Sequence, residues 1–334
     1  MNILGIESSC DETAAAVVED GQKVRSSVVA SQVSIHRKYG GVVPELASRH
    51  HVEAILPVIQ EALSQAEISL AGLQGIAVTQ GPGLVGSLLV GIAAAKSMAY
   101  VLNLPIVGVN HILGHVAAVF LDFSGPKFPF ISLVVSGGHT SLFRVESPTR
   151  MALIGRTRDD AAGEAFDKVA KLLDLGYPGG EIIDRLSREG NRSAIPFPRT
   201  LLEPDSLDFS FSGVKTAVLH YVKGLGGKPS PPQLRDVAAS FQEAVVDTLI
   251  SKVFRAARQE GICEVVVAGG VACNSRLREK FSQEAKESGI GVYFPPPVLC
   301  TDNAAMIGVA GFHLLEEGFR ADLTLNAYSR MSMN

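Results

Sequence analysis

The sequence predicts an α/β protein built as two lobes, and three observations carry that prediction. Hydrophobic residues make up 46% of the chain and charged residues only 19%, with 33 glycines, a composition that suits sheets covered by helices and excludes a disordered or fibrous chain. At 334 residues the chain is long for one core and fits two lobes of about 150 residues each. Finally, one pattern occurs twice. Residues 2–7 read as an apolar strand, 8–13 (Ser-Ser-Cys-Asp-Glu-Thr) as a polar turn and 14–18 as a returning strand. Residues 130–135, 136–140 (Ser-Gly-Gly-His-Thr) and 142–145 repeat the arrangement. Both turns hold small residues and a threonine before the returning strand, as backbone N–H groups require when they curl around an anion. Two such hairpins facing across a cleft would clamp a phosphate-bearing ligand from both sides.

The remaining elements follow in order. Residues 75–95 carry no charge, yet Gln80-Gly81-Pro82-Gly83 divides them into a strand and a helix, so the segment reads as buried core and no membrane span is expected. Within it, the small-residue stretch 86–95 is a candidate for lobe packing or dimer formation, or simply core. Residues 104–109 form another apolar strand, and a helix carrying His111 and His115 begins at its end, where ligands commonly bind in α/β folds. Side chains at i and i+4 share one helix face, so the two imidazoles either make a plain polar face or grip one divalent cation with a third ligand from elsewhere. A zinc protease would need glutamate directly after the first histidine; that position is Ile112.

Apolar positions at 165, 166, 169, 170, 172 and 173 give a helical stripe, with Asp159 and Asp160 as expected caps. Asp167 falls off the stripe, either solvated or accepting from a ligand hydroxyl. Tyr177-Pro178-Gly179-Gly180 is a tight loop, and Asp184 lies in the helix after it. Residues 196–204 and 224–232 read as surface loops. A third glycine turn, Gly269-Gly270, follows a strand at 264–268, with Asn274 as cap of a helix through 277–286. Cys300-Thr301-Asp302-Asn303 precedes a helix at 304–315, so Asp302 is either its cap or a metal ligand.

A net charge of −4 excludes a broadly basic nucleic-acid footprint and leaves any such contact to a local patch or a helper subunit. Residues 31–51, with His36, Arg37, Lys38, Glu45, Arg49, His50 and His51, read equally as a solvated helix surface or as a patch for RNA phosphates. Four scattered cysteines form no C-x-x-C pair, which fits reduced thiols in the cytoplasm. The first strand starts at once, without a secretion signal, so the mature chain is expected to begin near Met1.

Taken together, Gly5-Ile6-Glu7-Ser8-Ser9-Cys10-Asp11-Glu12-Thr13, Tyr39-Gly40-Gly41-Val42-Val43-Pro44-Glu45, Gly81-Pro82-Gly83-Leu84, the His111/His115 pair, Val135-Ser136-Gly137-Gly138-His139-Thr140, Asp160-Ala161-Ala162-Gly163-Glu164-Ala165-Phe166-Asp167, Asp208-Phe209-Ser210-Phe211-Ser212-Gly213 and Cys300-Thr301-Asp302-Asn303 closely resemble the bacterial TsaD family. These are tRNA N6-adenosine threonylcarbamoyltransferases, once described as glycoprotein endopeptidases. The resemblance runs from residue 2 to about 323. It implies the actin-like ATPase (ASKHA) fold: two duplicated lobes of ribonuclease-H-like topology around a nucleotide cleft. The lobes would span 1–128 and 129–303, with a C-terminal helical segment, 304–334, packing back near the hinge.

The resemblance further implies one divalent metal ion, iron or zinc, on His111, His115 and Asp302. Ligand contacts fall on Val134, Val135, Ser136, Gly137, Gly138, Asp167, Gly180, Asp184 and Asn274. The implied reaction moves the threonylcarbamoyl group of threonylcarbamoyl-AMP to the adenosine just 3′ of the anticodon in tRNAs reading ANN codons. The implied partners are a TsaB paralogue and the ATPase TsaE. Asp11 and Glu12 are the candidates for removing the amine proton. Two departures stand out: Glu181 occupies a position where many relatives carry proline, and Val134 one where archaeal and eukaryotic relatives place tyrosine. The rival readings are a small-molecule kinase of the same fold, a metalloprotease and a non-catalytic scaffold. Magnesium's preference for oxygen ligands counts against the kinase.

Overall fold

The computed structural model describes residues 1–121, 125–200, 203 and 205–331. Parts of the expected segments 1–128, 196–204 and 304–334 (residues 122–124, 201, 202, 204 and 332–334) lie outside them. The chain forms two compact units, one of residues 1–125, 146–151 and 295–334, the other of residues 126–145 and 152–294.

The first unit holds strands β1 (Asn2–Glu7), β2 (Glu12–Glu19), β3 (Lys23–Ser31), β4 (Gly75–Gly81) and β5 (Ile106–Asn110) in the order β3-β2-β1-β4-β5. Short turns make β1, β2 and β3 an antiparallel meander, whereas β4 and β5 run parallel to β1. The helix Val85–Leu102 supplies the crossover from β4 to β5 that parallel pairing requires. Alternation along β1 decides what covers each face. Leu4 and Ile6 enter a core with Ile55 and Ile59 of the helix Pro44–Gln65 and with Leu88 and Ile92 of the crossover helix. Gly5 points the other way, where a Cβ would stand 2.1 Å from Ala304 O, so the helix Ala304–Glu316 lies directly on the sheet. Gly311 extends this close approach: its Cβ would stand 2.2 Å from that of Ala77.

The crossover helix departs from the expectation of buried core. Its Leu88, Ile92, Ala95 and Ala99 are buried, while Val85, Leu89, Tyr100 and Val101 are exposed. By length and composition alone it is apolar enough to cross a membrane; one face is instead built into the first unit.

The second unit holds β6 (Phe130–Val135), β7 (Thr140–Val145), β8 (Met151–Arg156), β9 (Glu264–Ala268) and β10 (Gly291–Tyr293), ordered β10-β9-β6-β7-β8. β6 and β7 are antiparallel, and β9 is parallel to β6 and β10. Counted from the meander edge, each sheet therefore runs third, second, first, fourth, fifth strand, and the duplication sensed in two hairpins extends to both whole sheets. The 30-residue helix Pro231–Glu260 is the spine of this unit, with Ser230 and Gln233 forming a capping box at its start.

Neither expected cap holds. The helix over the 165–173 stripe begins at Ala162, and Glu164 reaches back to the Ala161 N–H (3.3 Å). Asp159 instead accepts from Ser210 Oγ (2.5 Å), the Phe211 N–H (2.8 Å) and Ser212 Oγ (2.7 Å), fastening a segment some fifty residues away. Asp160 pairs with Lys168 and Lys215.

Candidate active site

His111 is the first residue of the helix His111–Ala117, which starts directly at the end of β5. Asn110 caps it, accepting from the Ile112 and Leu113 N–H groups, and all seven helical residues are buried. Asp302 arrives from the far end of the chain. The other reading of this residue, as helix cap, fails because its neighbour takes that role: Asn303 Oδ1 accepts from the Met306 N–H (3.0 Å), and Asn303 Nδ2 donates to Thr301 O (2.8 Å) and Leu299 O (3.2 Å). Asp302 faces the histidines instead. Its Oδ1 lies 3.6 Å from His111 Nε2 and 3.2 Å from His115 Nε2.

The three side chains fit a divalent cation. Their ligand atoms all lie within 4.8 Å of one another, and two ligands on a tetrahedral ion at ~2.1 Å stand roughly 3.4 Å apart. His115 Nε2, although close to Asp302, makes no hydrogen bond among the described residues, nor does His115 Nδ1. A buried nitrogen without a partner is costly, and a metal at the common point would satisfy Nε2.

Glu7, at the end of β1, was absent from the sequence-derived set. It is fully buried, and its Oε2 lies 2.8 Å from His111 Nδ1 and from Thr79 Oγ1, while Oε1 accepts from the Ser9 N–H at 2.5 Å. Burial disfavours the imidazolium form of His111, but the Glu7 and Asp302 carboxylates outweigh it and raise the pKa to about 9. The one signal in the sequence was an ionisable residue closing an otherwise apolar strand.

In the first hairpin turn, burial and then the Asp11 and Asp302 carboxylates push Glu12 up to about 9 against a hydrogen bond from Ser31. Burial, followed by the same two carboxylates, pushes the Cys10 thiol far up, so it stays protonated and inert. His51 underlies this turn, with Nδ1 2.7 Å from Thr13 Oγ1 and Nε2 3.0 Å from Cys10 O. His51 and His36 are both buried, so two members of the polar cluster at 31–51 belong neither to a solvated face nor to an RNA patch. Arg37 and Lys38 are exposed, and Arg49 pairs with Glu45 on the same helix.

The expected ligand residues of the second unit form a chain of neighbours. Ser136 O accepts from the Gly163 N–H at the start of the helix bearing Asp167. Asp167 accepts from the Gly179 N–H (2.7 Å), placing Gly180 next in the turn. Asp184, in the helix Gly179–Ser187, accepts from Ser275 Oγ (2.8 Å), beside Asn274. Asn274 caps the helix Ser275–Ser288 and donates to Gln242. Gly269 closes the series: with φ +92° it lies so near Val135 that a Cβ would stand 2.4 Å from its carbonyl oxygen. One expectation needs correction. The Ser136 N–H is committed to His139 O (2.8 Å), so an anion at this hairpin would take its N–H bonds from Gly137 and Gly138, around which a Cβ would find open space.

Fold and site together define an actin-like α/β protein with duplicated sheets and a His-His-Asp centre beside a carboxylate turn. Among solved structures, full-length HypF in its phosphate- and nucleotide-bound form matches 96% of this chain and 56% of its own, with TM-score 0.66 and 15% identity. Component A of the (R)-2-hydroxyglutaryl-CoA dehydratase of Acidaminococcus fermentans matches 94% and 98%, with TM-score 0.54 and 14% identity. These likenesses speak for the fold. The TsaD family model, described as tRNA N6-adenosine threonylcarbamoyltransferase, matches residues 23–309, and the chain belongs to that family. Curated relatives of the same description are 56% identical in Syntrophus aciditrophicus (100% of this chain, 98% of the relative), 58% in Geobacter metallireducens (98% and 96%) and 53% in Clostridioides difficile (99% and 98%).

Proposed function

We propose that this chain transfers the threonylcarbamoyl group of threonylcarbamoyl-AMP to N6 of the adenosine just 3′ of the anticodon in tRNAs reading ANN codons, releasing AMP. The observation that carries the reading is the convergence of His111, His115 and Asp302, drawn from segments far apart in a chain that belongs to this family. In the step, a bond forms between N6 and the carbamoyl carbon, the bond from that carbon to the AMP phosphate oxygen breaks, and N6 loses one proton.

An adenine amine is a weak nucleophile, so charge developing on the carbonyl and on the leaving phosphate needs preorganised donors. The Gly137 and Gly138 N–H groups are suited to that task, and Asp167, Asp184 and Asn274 to holding the ligand's polar groups. His111, His115 and Asp302 would hold a divalent ion, iron or zinc, which supplies Lewis acidity when bound. The two turn carboxyls, Asp11 and Glu12, are assigned to taking the amine proton and orienting the ligand; burial and the neighbouring Asp11 carboxylate raise the pKa of Glu12. Arg37 and Lys38 are assigned to the tRNA backbone, with the target base splayed out for attack. TsaB and TsaE are the proposed protein partners. The proposed setting is the cytoplasm, away from any membrane.

The test incubates the purified chain, with and without TsaB and TsaE, with threonylcarbamoyl-AMP and unmodified tRNA, then digests the RNA and assays threonylcarbamoyladenosine. Product from wild type and none from His111→Ala supports the reading. Failure of every mixture to yield product, with donor intact and tRNA bound, refutes it and favours a kinase or a scaffold.

A further inference from the structure

A carboxylate with no exposed surface needs compensation by charge or by several hydrogen bonds. Among the described residues, no lysine or arginine pairs with Glu7. Its partners are the Ser9 N–H, the Thr79 hydroxyl and His111 Nδ1, each belonging to the first unit. Two of the three groups that fix it, the Ser9 N–H just beyond β1 and the Thr79 hydroxyl of β4, come from adjacent parallel strands whose register aligns Ile6 with Val78. The carboxylate is thus anchored to the sheet by one backbone N–H and one short side-chain hydroxyl, and His111 is what it is held against.

The consequence concerns which nitrogen of His111 carries a proton. An ionised carboxylate only accepts, so the 2.8 Å contact requires the proton on Nδ1. Loss of the Nε2 proton, which metal binding requires, then leaves the lone pair of Nε2 on the side of Asp302, 3.6 Å away. A free neutral imidazole favours the opposite tautomer, with the proton on Nε2, which cannot ligate. Ser9 Oγ, 3.2 Å from the same Nδ1, does not enforce the choice, because a hydroxyl both donates and accepts.

We propose that Glu7 is a positioning residue for the metal centre: it fixes the tautomer and ring orientation of His111 so that Nε2 faces the position shared with His115 and Asp302. This rests on the reading of those three residues as metal ligands. Partners of this kind typically govern metal affinity by 10–100-fold.

The test titrates the full-length, metal-stripped chain with Co(II) in competition with a chromophoric chelator, following affinity and the visible ligand-field absorption of the bound cobalt. Glu7→Gln, nearly isosteric but uncharged, is expected to weaken Co(II) binding about 10–100-fold and to shift the cobalt spectrum. Glu7→Asp keeps the charge one methylene further back and is expected to lose less. A Glu7→Gln protein that binds within twofold of wild type with an unchanged spectrum overturns the proposal while leaving the metal centre standing. A wild type that binds no cobalt overturns the metal reading and this proposal with it. Should Glu7→Gln not fold, Glu7→Asp decides by the same two readouts, and failure of both to fold overturns the proposal in favour of a purely structural carboxylate.

Discussion

The close seat of the helix Ala304–Glu316 on β1 makes Gly5→Ala a sharp probe, because it joins stability to the metal centre. Alanine suits a strand backbone, so only the added methyl group matters. At 2.1 Å from Ala304 O and 2.8 Å from Gly308 N it meets backbone that cannot rotate away. Restoring contact near 3.5 Å moves the helix start by more than an ångström. Overpacking of this kind destabilises by about 1–3 kcal/mol, and a backbone clash belongs at the upper end. For a cooperative unit of this size, that lowers the melting temperature by roughly 6–12 °C. Asp302 lies two residues before Ala304, and metal ligands tolerate displacements of only about 0.2 Å. Co(II) affinity is therefore expected to fall by about tenfold or more. Calorimetry and the cobalt titration check both arms. Gly224→Ala is the control: a Cβ there meets nothing, and the expected change is a stabilisation of about 0.4–1 kcal/mol. A Gly5→Ala protein with wild-type melting temperature and cobalt affinity would refute the packing argument.

Glu243 offers a pH test in the second unit. Burial alone would raise its pKa, but hydrogen bonds from Arg276 (2.6 and 2.8 Å) and Lys280 (2.8 Å) hold it at about 2. A folded-state pKa below the ordinary 4.5 contributes stability above pH 4.5 that is lost as pH falls toward 2. Glu243→Gln should therefore be less stable at pH 7, by on the order of 3 kcal/mol, with the gap to wild type closing between pH 4.5 and 2 in thermal melts. Asn303→Ala removes a helix cap and two tethers of the turn before it, so a stability loss of about 1 kcal/mol should accompany weakened cobalt binding; cobalt affinity equal to wild type would show that Asp302 is held by other means. Charge reversal at Arg37 and Lys38 should weaken tRNA binding and flatten its salt dependence, measured by filter binding at several salt concentrations. Unchanged affinity would remove this patch from the RNA-binding reading.

Much of the fold was legible because its signals are local. The strands at 2–7, 14–18, 104–109, 130–135, 142–145 and 264–268 announce themselves by apolar residues bounded by glycine or polar turns, whereas β3, β8 and β10, more polar or very short, do not, and Asn274 sits where a helix N-cap must sit, three residues before Leu277. The His111/His115 pair could be read because helical spacing alone puts i and i+4 on one face. Asp159 was misread for the same reason: two acids before a helix look like caps, and nothing nearby in sequence reveals that Ser210 and Ser212 compete for the carboxylate.

By itself, then, the sequence determined many of the elements, the repeated hairpin and the family, since periodicity, turn chemistry and long motifs are written in consecutive residues. Tertiary structure alone ruled out the cap reading of Asp302, because Asn303 takes the cap and leaves Asp302 beside two histidines far away in the chain. It alone disclosed Glu7, whose meaning depends on β4 bringing Thr79 alongside and β5 delivering His111 to its carboxylate. The physical reason is that a buried charge is defined by what surrounds it, and those surroundings come from strands that are neighbours in the sheet but distant along the chain.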